Sequence, residues 1–130
     1  MPNFIFPELT AENVDTITEQ LLELLASMSR EDIETELERR IGLDYVDTVY
    51  ERGLFLHLPS WRKALEMALF LTLVKEAYKM KHCFIVRYGT EPSAGYKFRF
   101  AADKRTAQRL AKFHWGYYLP QGYQQHILEI

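Results

Sequence analysis

Cysteine is almost absent from this chain. One thiol, Cys83, in 130 residues excludes an intramolecular disulfide and points to a reducing compartment, most simply the cytoplasm. Long apolar runs are also missing. The longest, Met67 to Val74, is broken by Thr72 and falls far short of the about 20 residues a membrane span needs, so it reads as a buried helix. Met1 to Pro7 has neither a basic stretch nor a long apolar one, so no secretory signal is expected. The six glycines are scattered and build no phosphate-cradling loop. His57, His82, His114 and His126 lack metal-ligand spacing, and one cysteine cannot complete a thiolate site, so neither metal nor cofactor is expected. His82 and Cys83 are neighbours, but on a strand they point to opposite faces. Cys83 therefore reads as a buried structural thiol, not as a nucleophile beside its base.

Net charge is small, at −2, but each half carries an excess of one sign. Residues 1–58 hold thirteen acidic side chains against four basic ones, a net of −9. Residues 59–130 hold five acidic against twelve basic, a net of +7. Such halves either present an acidic and a basic binding face or attract each other within one fold. With 48% hydrophobic and 14% aromatic residues, the chain suits a single globular domain over 1–130, divided into an acidic helical subregion, 1–53, and a basic, aromatic subregion, 54–130.

Thr10 is a natural N-cap, and Val14, Ile17, Leu21, Leu24, Leu25 and Met28 recur at three and four, predicting an amphipathic helix over 11–27. Ser29 opens a second helix with a narrow stripe of Ile33, Leu37 and Ile41, and Gly42 closes it. Asp44 can cap a short third helix carrying Val46, Val49 and Tyr50, closed by Gly53. Leu54 to Leu58 reads as a strand. Ser60 caps a helix over 61–80 that is apolar on nearly every face, the mark of a central element. Cys83 to Tyr88 and Tyr96 to Phe100 read as paired strands, with Gly89 and Gly95 as turn residues. A helix over 104–116 and a closing strand over 125–130 follow. From Leu54 the order is βαββαβ, so the expected class is α+β: acidic N-terminal helices packed on a small ferredoxin-like antiparallel sheet unit.

That order also occurs in the RNA-recognition motif, and two stretches resemble its signatures. Leu54-Phe55-Leu56-His57-Leu58-Pro59 resembles the first-strand motif, and Gly95-Tyr96-Lys97-Phe98-Arg99-Phe100 the third-strand one. The resemblance implies aromatic rings on an open sheet face, stacking on bases. The pleat opposes it. With Tyr96, Phe98 and Phe100 turned to solvent, Lys97 and Arg99 would point into the core, where unpaired charge is very unfavourable. The aromatic face reads as the core, and membership of that family is not adopted.

Two surfaces remain as candidates. Arg105, Arg109 and Lys112 fall four and three apart on one helical face, and Arg87, Lys97 and Arg99 form a second basic set on the strands. Basic side chains among aromatics suit nucleic acid, while a solvated or internally neutralised surface is the plainer reading. The C-terminal cluster Phe113, Trp115, Tyr117, Tyr118 and Tyr123 has the composition of an interface hot spot, beyond what core packing explains. The carboxylates Glu31, Asp32, Glu34, Glu36 and Glu38 read as a solvated acidic face or a docking surface for a basic partner. The expected function is a non-enzymatic binding or regulatory protein acting through protein contacts or self-association, with no membrane. A nucleic-acid-binding module is the alternative, and a small enzyme ranks third.

Overall fold

The fold is given by a computed structural model, which describes residues 4–10, 12–51, 60–81, 84–88, 97–101, 103, 105 and 127–129. Among the described residues, four helices come first: α1 (Val14–Ser27), α2 (Arg30–Arg40), α3 (Tyr45–Glu51) and α4 (Trp61–Ala77). Three short strands follow: β1 (Phe84–Tyr88), β2 (Lys97–Ala101) and β3 (Ile127–Glu129).

Local chemistry sets the helix ends. Thr10 and Asn13 bond reciprocally: the Thr10 hydroxyl accepts from the Asn13 amide at 3.2 Å, and the Asn13 side chain accepts from the Thr10 amide at 2.8 Å. This box lies one turn before the regular helix, which begins at Val14 with Asn13 at its N-cap, so α1 starts later than the sequence places it and Thr10 is not its N-cap. Ser29 and Ser60 accept from the amides of Asp32 and Lys63, each at 3.1 Å, and cap α2 and α4. Gly42 sits at φ +110°, a backbone setting that L side chains avoid, and lets its amide reach the Leu37 carbonyl at 3.3 Å. α4 ends in a Schellman arrangement, Met80 N–H to Lys75 O at 2.9 Å and Lys79 N–H to Glu76 O at 3.3 Å. Its left-handed residue is Lys79, at φ 52°.

α4 is the centre of the described structure. Every residue from Ala64 to Val74 is buried, so three turns of this helix are covered on all sides. α1 covers it with Val14, Ile17, Leu21 and Leu25, α2 with Ile33 and Leu37, and α3 with Tyr45 and Val49. The N-terminal segment adds Phe4, Phe6 and Leu9 at the edge of this core. Phe6 meets the Tyr78 ring edge-on at 5.7 Å, and the Tyr78 hydroxyl donates to the Pro7 carbonyl at 2.8 Å.

The chain is not the α+β ferredoxin-like domain its order of elements suggested. Among residues whose side chains are described, 70% are helical and none lies in a strand. The described core is built from the helices and the N-terminal segment packed against them. The backbone pairing excludes the ferredoxin-like topology independently. There, residues 84–88 would form an edge strand paired only with 97–101, and the last strand would pair near 54–58. Instead β1 lies in the middle of the order β2-β1-β3, antiparallel to both neighbours, with Phe84, Ile85 and Val86 opposite Glu129, Leu128 and Ile127. β2 runs beside α1. The strand expected over 54–58 and every residue but Arg105 of the helix expected over 104–116 lie outside the described residues.

Candidate functional site

α3 carries two apolar sides on a short helix. Tyr45 and Val49, four residues apart, turn into the core. Leu43, just before the helix, with Val46 and Tyr50 forms a second line at spacings of three and four, and this line faces outward. The three are 87%, 37% and 53% exposed. Tyr50 stacks on Trp61 with ring centroids 5.2 Å apart and planes 26° apart, so the outer surface continues onto the first turn of α4. Asp44 and Asp47 are exposed along the remaining side of α3. The Tyr45 phenol is raised above its usual 10.0 by burial first, then by the carboxylates of Glu34 and Glu38, against the opposing charge of Arg30. The result is an apolar stripe with an acidic rim.

The acidic run of α2 is not uniformly solvated, as its sequence suggested. Glu36 is buried and accepts from Arg39 at 2.7 Å and from Arg40 at 3.1 Å. Burial alone would raise its pKa. The hydrogen bond from Arg40 and the charge and hydrogen bond of Arg39 outweigh burial and hold the carboxyl below its usual 4.5. That is the behaviour of a structural carboxylate rather than of a poised general acid. Arg40 also pairs with Glu76 of α4, joining α2 to the central helix.

A pocket of about 490 Å3 opens where α2, α3 and α4 meet. Its walls include Arg40, Ile41, Thr48, Thr72, Glu76 and Met80. The Thr72 hydroxyl donates to the Ala68 carbonyl at 2.7 Å, and Arg40 is already bonded to two carboxylates. This pocket offers apolar wall and an ion pair satisfied within the fold.

Of the residues singled out in the sequence, Arg87, Lys97 and Arg99 lie on described backbone. The register sets Tyr88 opposite Lys97, Arg87 opposite Phe98 and Val86 opposite Arg99. Cross-strand partners share a face and alternate residues reverse it, so Lys97 and Arg99 occupy one face and Arg87 the other. Arg105 is exposed. Arg109, Lys112, Phe113, Trp115, Tyr117, Tyr118 and Tyr123 lie outside the described residues, as do Cys83 and all four histidines. Among the described residues, no group of three or more His, Cys, Asp or Glu side chains could hold a metal, and no helix is long and apolar enough to cross a membrane.

The outer stripe of α3 was missed because Val46, Val49 and Tyr50 read as one apolar set. The signal was the pairing of Tyr45 with Val49 and of Leu43 with Val46 and Tyr50, two lines too far apart around a helix for one neighbour to cover. No protein-family model, no curated protein and no solved structure matches this chain.

Proposed function

We propose that this chain is a non-enzymatic binding or regulatory protein of the cytoplasm that acts through protein–protein contacts. The acidic helical face of α2 and α3 is its docking surface. One observation carries the reading: Leu43, Val46 and Tyr50 line up on the outer side of α3 with much of their surface exposed, while that helix's inner side already supplies the core. Aligned exposed apolar side chains with a polar rim are the usual form of a recognition patch. The compartment rests on the lone thiol, Cys83.

The test is capture followed by reconstitution. A partner retained by the wild-type protein, and lost from Val46→Glu and Leu43→Glu proteins of unchanged fold, should re-form the complex when both components are pure. Equal retention by both variants would remove this face from the mechanism. Nucleic-acid binding through Lys97, Arg99 and Arg105 is the second reading, favoured by the register that puts the first two on one face. It requires binding that falls steeply with salt and weakens in Arg105→Ala.

A further inference from the structure

Resting on the protein-contact reading above, we infer that the Leu43–Val46–Tyr50 stripe receives a basic amphipathic segment of a partner protein. Its chemistry is that of a helix with apolar residues three and four apart, flanked by lysine or arginine. The length of the stripe sets the size of the partner's contact. From Leu43 to Tyr50 is about 10 Å along a helix, two turns, which matches three anchor residues of a partner helix laid alongside. Tyr50 stacked on Trp61 supplies the aromatic end of that surface.

Charge selects the partner. Asp44 and Asp47 are exposed beside the stripe, and Glu38 is exposed on α2. The arginines of α2 are already bonded to carboxylates, Arg30 to Glu34 at 2.7 Å, Arg39 to Glu36 at 2.7 Å and Arg40 to Glu36 at 3.1 Å. A partner bringing acidic residues would meet like charge. So would a second copy docking the same stripe about a two-fold axis, which would bring both sets of Asp44 and Asp47 together. A basic segment meets complementary charge and covers the apolar line in one contact.

The experiment titrates three synthetic peptides into the full-length, isotope-labelled protein and follows the amide signals of residues 43–50 and the Trp61 indole by NMR. The first peptide is an amphipathic lysine–leucine helix. The second keeps the leucines and replaces lysine with glutamate; the third keeps the lysines and replaces leucine with serine. The first is expected to shift Leu43 to Tyr50 and the Trp61 indole. Its affinity should fall about tenfold or more in the Leu43→Ser, Val46→Ser protein. It should fall again, with a flatter salt dependence, in Asp44→Lys, Asp47→Lys. The unfolding midpoint of each variant is measured alongside, and an Asp47→Lys single variant, inside α3 and exposed, reads the charge effect without altering the residue that precedes the helix. Equal binding of the glutamate–leucine peptide at residues 43–50 would overturn the basic partner while leaving a protein-docking face. Equal binding of the lysine–serine peptide would overturn the apolar part of the claim. No shift at residues 43–50 with any peptide would overturn the inference, and the reconstitution experiment would then decide the reading beneath it.

Discussion

Arg62 joins groups that are far apart in sequence. Its guanidinium donates to the carbonyls of Leu25 at 3.0 Å and Met28 at 2.6 Å, and to the buried carboxylate of Glu66 at 3.0 Å. A cation at the end of α1 adds a second donor to the Leu25 carbonyl, which already accepts from the Met28 amide at 3.2 Å, and opposes the negative end of the helix dipole. Arg62→Ala should therefore lower unfolding free energy by about 2–3 kcal/mol in urea titration, because among the described residues Glu66 keeps Lys63 alone, at 3.5 Å. Arg62→Lys keeps the charge but lacks the fork, and should recover less than half of the loss. Glu36 makes a pH prediction. Its folded pKa lies below the usual 4.5, so the stability it adds is present above that value and disappears as pH falls through the lower, folded value. Comparing urea midpoints at neutral pH and about pH 3, the wild type should lose more stability than Glu36→Gln, which lacks this titration. Equal losses would show that Glu36 contributes nothing to acid sensitivity.

The helices make a second set of contrasts, and their ends are where the sequence was most readable. Ser29, Ser60 and Gly42 were each legible because a cap depends on a few neighbouring residues and on one backbone angle. Lys79 was not, since nothing about a lysine announces a left-handed backbone. Two opposite substitutions test the same physics. Gly42→Ala places a Cβ at φ +110°, 3.2 Å from an Asp44 carboxylate oxygen, and should destabilise by about 1–2 kcal/mol. Lys79→Gly relieves the left-handed lysine at the end of α4 and should stabilise by about 0.5–1 kcal/mol in thermal or urea unfolding. The burial of α4 on every side was also legible, because eleven consecutive residues, Ala64 to Val74, leave no polar face to turn outward. The outer stripe of α3 was hidden by its short length: over seven residues, periodicity does not separate a core side from a second apolar side.

At the scale of the whole molecule, sequence reasoning failed where pairing is long-range. Alternation marked the residues of β1 and β2, but it carries no information on which strand β3 joins. The pairing of Ile127 with Val86 makes β1 central and rules out the ferredoxin-like order. Nor did alternation fix the register that separates Arg87 from Lys97 and Arg99. The charge division behaves in the same way. The Arg40–Glu76 bridge between the two halves takes its base from the acidic half and its acid from the basic half, so net charge did not forecast the contact.

What unites these levels is a helical core centred on α4, with one apolar side of α3 left outside it. Amide hydrogen exchange on the full-length protein, with and without the lysine–leucine peptide, tests both parts at once. The slowest amides should be those of Leu65 to Val74, unchanged by the peptide, and new protection should appear across residues 43–50. Slowest exchange in 84–88 and 97–101, or peptide protection elsewhere with 43–50 unaltered, would contradict the account.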